Sequence, residues 1–119
     1  MTVISVHELT EDIDEGRIIH QAEASLVRGD GIHDLSCRTV KDFIDFDLPE
    51  VLRLFKNHEL GDPKEQAKSG KLWYSEDWRP EHLITVYEKY DNRIVDMCLD
   101  GEIQGRKPTL YQQPIDVNQ

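Results

Sequence analysis

The chain has 119 residues, 38% of them hydrophobic, and its 24 Asp plus Glu against 14 Lys plus Arg give a formal net charge of -10. That length fits one domain able to bury a core without metal or disulfide help. The acidic balance argues against direct binding of nucleic acid or anionic membrane, both of which need clustered Lys and Arg.

No apolar run approaches the roughly 20 residues of a membrane-spanning helix. Residues 1–8 lack the basic and apolar regions of a signal peptide. Cys37 and Cys98 lie too far apart in sequence to suggest a secreted disulfide framework. A cytoplasmic protein with reduced thiols is therefore expected.

In chain order, the weakly alternating, β-branched opening from Met1 to Val6 predicts a short strand. The most acidic stretch follows, with Glu8, Glu11, Asp12, Asp14 and Glu15 ahead of the first basic residue, Arg17. Thr10 can cap a helix whose first turn favours these acids. Ile18, Ile19, Ala22 and Leu26 then recur at helical spacing up to Gly29, although Gly16 weakens such a helix and 22–26 also reads as a strand. Arg28-Gly29-Asp30-Gly31 is a turn. Its Arg-Gly-Asp tripeptide resembles an integrin motif, but a helix end followed by a turn explains both glycines.

A second helical zone covers about residues 36–46, with Val40, Phe43 and Ile44 as its apolar set. The third has the clearest start, Asp47-Leu48-Pro49-Glu50. Here Asp47 caps, Pro49 fits the first turn, and Leu48, Val51, Leu52 and Phe55 form one face before His58 and Gly61. Residues 61–70 read as a polar surface connection, and Trp73, Tyr74 and Trp78 form an aromatic segment. Residues 83–90 and 94–99 flank Asp91-Asn92, and Asp100-Gly101 follows. These two turn pairs favour a β-meander, although Leu83, Val86, Tyr87 and Tyr90 also fit a helix opened by Pro80.

The fold expected is α+β, with N-terminal helices packed on a C-terminal antiparallel β-meander. Residues 1–106 would form one domain and residues 107–119 an extended tail.

Candidate chemistry is sparse. His33 and Cys37 stand one helical turn apart, and a set such as His33, Cys37, His82 and Cys98 would bind metal only if the fold converged it. No paired-ligand spacing occurs, so neither metal nor cofactor is expected. Cys98 lies between Met97 and Leu99 and reads as packing, while Cys37 beside Arg38 is weak grounds for a thiol nucleophile. Asp42, Asp45 and Asp47 could bind a cation, but they lack the calcium-loop pattern.

The expectation is a non-enzymatic inhibitor that occupies a basic, nucleic-acid-binding type of surface on another protein. Phage anti-defence proteins, immunity proteins and DNA mimics work this way, since spaced carboxylates imitate phosphates. Its contact set is Glu8, Glu11, Asp12, Asp14 and Glu15, with Asp42, Asp45 and Asp47 as a second cluster. The aromatic trio Trp73, Tyr74 and Trp78 is the fallback interface. A small metal or thiol enzyme and an accessory subunit of an assembly are the alternatives.

Overall fold

The computed structural model describes residues 2–12, 15–67, 75–104 and 109–115. The fold is α+β, but in the opposite order to that expected: a two-stranded hairpin comes first and the helices follow. Strand β1 (Val3–His7) pairs antiparallel with β2 (Ile18–Glu23), from Val3 opposite Glu23 to Val6 opposite His20. A bulge at Val6/His7 then sets His7 opposite Ile18 and leaves Ile19 as the extra residue. The helix expected across 10–26 is thus a loop and a strand. Its apolar residues follow a period of two, with His20, Ala22 and Ala24 buried and Gln21 and Glu23 less so.

Helix α1 (Ile32–Asp42) and helix α2 (Leu48–Lys56) are joined without a break by a π turn, Phe43–Asp47. Asp34 reaches back to accept the Gly31 amide at 2.8 Å and so secures the start of α1. The π turn has a cause in the sequence. Pro49 has no N–H and its ring opposes the preceding turn. The Leu48 amide bonds the Phe43 carbonyl five residues back, which loosens the turn at that point. The turn also has a consequence. Leu35, Thr39, Asp47 and Val51 are all buried at multiples of four residues. In a regular α-helix each four-residue step overshoots a turn by about 40°. A wider turn gives part of that drift back and keeps Asp47 on the inner face.

The predicted meander is two helices, α3 (Pro80–Tyr90) and α4 (Ile94–Leu99). Pro80 occupies the first turn of α3, and the His82 ring accepts the Arg79 amide. The Asp91-Asn92 and Asp100-Gly101 pairs are helix ends rather than hairpin turns. Asp91, Asn92 and Gly101 take φ of 50°, 51° and 76°. The Glu102 amide closes back on the Met97 carbonyl at 2.9 Å.

One core cluster joins Ala24, Leu35 and Val95, with Leu26 and Ile94 at its margin. Ala22, Val51 and Leu54 are buried as well. The Arg-Gly-Asp turn belongs to this scaffold. Arg28 pairs with Asp100 at 2.6 Å, and Asp30 is buried in a bidentate pair with Arg38 at 2.5 and 2.7 Å. Residues 109–115, expected in the tail, run extended along the outer edge of β2. The Gln21 amide donates to the Tyr111 carbonyl at 2.8 Å, and the Gln112 side chain donates to the Gln21 carbonyl at 3.2 Å. Among the described residues no helix is long and apolar enough to cross a membrane.

Candidate functional site

The first predicted acidic cluster sits on the loop between β1 and β2. Its neck is closed by two contacts between the same residues. The Glu8 amide donates to the Arg17 carbonyl at 3.0 Å, and the Arg17 guanidinium grips both Glu8 carboxylate oxygens at 2.7 and 2.8 Å. Those hydrogen bonds hold the Glu8 carboxyl below the usual carboxylate range. Glu8 therefore shapes the loop. Glu11, Asp12 and Glu15 are exposed beyond the neck, and among the described residues no ion pair engages them. Thr10, expected as a helix cap, donates its hydroxyl to the Asp12 carbonyl within the loop. Asp14 lies outside the described residues.

Two more acids join this end of the molecule, and the sequence did not signal them. The Ile18 and Lys64 backbones exchange hydrogen bonds at 2.7 and 2.8 Å, which lays the 62–65 segment beside the loop. Asp62 and Glu65 then add their fields to that of Glu8 at Arg17. Short pairing between segments more than forty residues apart leaves no local pattern to read.

The second predicted cluster does not form one surface. Asp45 pairs with Lys41 one turn earlier at 2.6 Å, and Asp42 lies in the field of Arg38 and Lys41. Asp47, expected as an exposed contact and a helix cap, makes no side-chain cap and is buried. Its carboxylate lies 2.6 Å from Nε2 of His20, a side chain with no exposure at all. The Gln113 amide donates to His20 Nδ1 at 3.0 Å, so that nitrogen is the acceptor and Nε2 carries the proton given to Asp47. Gln113 completes the knot by donating to the Ile19 carbonyl at 2.8 Å and accepting the Gly61 amide at 2.8 Å. His20, Asp47 and Gln113 tie β2, the π turn and the C-terminal segment together. With both ring nitrogens used and no access from solvent, the pair is a structural latch.

The thiol and metal candidates remain apart. Cys37 is exposed on α1, and His33 lies 6.3 Å from the Tyr87 ring. His82 meets Trp78 edge-on at 5.7 Å, and Cys98 is a half-buried free thiol in α4. Among the described residues no group of three or more His, Cys, Asp or Glu side chains could hold a metal ion. Of the aromatic trio, Trp78 is 66% exposed, while Trp73 and Tyr74 lie outside the described residues.

An apolar strip also faces solvent along the helical rod, through Val40, Ile44, Leu52 and Phe55. Beside it, a shallow depression of about 540 Å³ is lined by Cys37, Val40, Lys41 and Ile44. Comparison of the chain with protein-family models, with curated proteins and with solved structures finds no match.

Proposed function

We propose that this protein is a non-enzymatic binder that occupies a basic surface on a partner protein and so inhibits it, with the β1–β2 loop as its recognition element. One observation carries the reading: Glu11, Asp12 and Glu15 are exposed on a loop whose own cation, Arg17, is held by Glu8, and among the described residues no ion pair engages them. Among the described residues several acids elsewhere are paired within the chain, as in Arg28–Asp100, Arg38–Asp30, Lys41–Asp45 and Arg53–Glu50. The loop carboxylates are left to meet cations from outside. Carboxylates held in this way mimic a row of phosphates and form charge-assisted hydrogen bonds with Arg and Lys. They also speed encounter with a basic cleft.

The test is capture from a host lysate on immobilised protein, followed by elution in a salt gradient and mass spectrometry. The Glu11→Gln/Asp12→Asn/Glu15→Gln protein is the control column. The reading requires a basic protein that elutes with salt and is depleted on the control. A partner held equally by both columns, and unmoved by salt, would refute it.

A further inference from the structure

We propose that the outer edge of β1 takes up an extended basic segment of the partner as an added strand, with the loop carboxylates holding that segment's lysines or arginines. This inference rests on the reading of the chain as an acidic binder, and it names the element of the partner that is bound.

The hydrogen-bond pattern shows which backbone groups are open. Gln21 points both its N–H and its C=O away from β1, the first to the Tyr111 carbonyl and the second to the Gln112 side chain. Gln21 is the register partner of Ser5, so Ser5–Gln21 is a pair not bonded across the hairpin. By alternation Val3–Glu23 is another. Val3 and Ser5 must therefore direct their own N–H and C=O to the opposite edge. Among the described residues that edge has no neighbouring strand, because the sheet has two strands only. β1 reads Val-Ile-Ser-Val-His and carries no proline, lysine or acid to discourage pairing.

Charge selects the occupant. At the His7 end of the edge stand Glu11, Asp12 and Glu15. At the Val3 end stands Glu23, whose Oε2 is buried without a hydrogen-bond partner. Glu23 thus adds a negative charge at that end of the hairpin, which favours a cationic neighbour. Val3, Ser5 and His7 of β1 also line, with Ile18, Gln21 and Gln66, a hollow of about 370 Å³ over the face of the hairpin. Backbone pairing supplies affinity, and the flanking acids select for basic residues.

The test uses the full chain, labelled with ¹⁵N. It is titrated with a synthetic peptide of about nine residues, slightly longer than β1, that alternates Val and Thr between terminal lysines. The same peptide N-methylated at alternate backbone nitrogens keeps its charge but cannot pair as a strand. The expected result is binding with amide shifts at Val3 and Ser5, weakened about tenfold or more by N-methylation. Ser5→Pro should weaken binding by a similar factor, because it removes an outward N–H while sparing the β1–β2 ladder. Equal binding of the N-methylated peptide, or shifts confined to the loop, would overturn the added strand. If that binding still fell with salt and with neutralisation of Glu11, Asp12 and Glu15, the acidic-binder reading would stand without it. A Ser5-dependent dimer in sedimentation would also overturn the inference, since a second copy would then fill the edge.

Discussion

His20 and Asp47 are the residues on which the packing of the hairpin against the helical rod turns. Removing Asp47 leaves the His20 N–H buried without an acceptor. A buried donor stranded in this way costs about 1–3 kcal/mol, and more if the lost partner carried charge. Asp47→Ala should therefore destabilise the protein by about 2–4 kcal/mol in urea unfolding, whereas Asp45→Ala, which breaks only an exposed pair with Lys41, should be near neutral. Equal effects would mean that the buried pair is not a latch. Asp30 gives a second prediction, through pH. Hydrogen bonds from Arg38 hold its carboxyl below the ordinary aspartate range. The folded state thus takes up a proton less readily than the unfolded chain, and the pair contributes stability above about pH 4 that is lost as pH falls through the lower folded value. Asp30→Asn should be less stable than the parent at neutral pH, with the gap closing on acidification. A gap unchanged at acid pH would contradict this.

At the scale of elements, the sequence was legible where a local signal has one structural meaning. The spacing of Leu48, Val51, Leu52 and Phe55 predicts a helix, and α2 runs Leu48–Lys56. The Asp47-Leu48-Pro49-Glu50 signal, however, marks the π turn that joins α2 to α1 without a break, not a helix start capped by Asp47. The sequence failed where one signal serves two structures. Asp91-Asn92 and Asp100-Gly101 tolerate positive φ, which a tight hairpin and a helix C-terminus both require. Thr85 and Val86 favour strands, but Pro80 and the spacing of Leu83, Val86, Tyr87 and Tyr90 carried α3. Of the acidic site, the loop residues were visible as a run of acids. The burial of Asp47 was not, because it depends on His20 lying 27 residues away. Gly16 shows the same limit. Taken from sequence as a weak point in a helix, it instead lies so close to the Glu8 backbone that an added Cβ would sit 1.7 Å from the Glu8 carbonyl oxygen. Gly16→Ala should force the loop neck apart and cost about 1–3 kcal/mol, the usual scale of overpacking. Thermal unfolding and amide shifts at Glu8 and Arg17 would register it, and an unshifted neck would disprove the close approach.

For the whole molecule, the charge of -10 is distributed unevenly in its consequences. Some acids elsewhere are engaged by cations of the same chain, as Asp30, Asp45, Glu50 and Asp100 are, while among the described residues no ion pair engages Glu11, Asp12 or Glu15 of the β1–β2 loop. On the proposed reading, attraction to a basic surface works through the loop end of the hairpin. Exposed charges are screened over about 8–10 Å near physiological ionic strength, so the complex must be salt-sensitive. The most direct measurement is the dissociation constant of the captured complex as a function of salt, for the parent and for Glu11→Gln/Asp12→Asn/Glu15→Gln. The prediction is a steep weakening with salt for the parent, and a weaker complex with a shallower salt slope for the variant. Superimposable curves for the two proteins would contradict recognition by the loop.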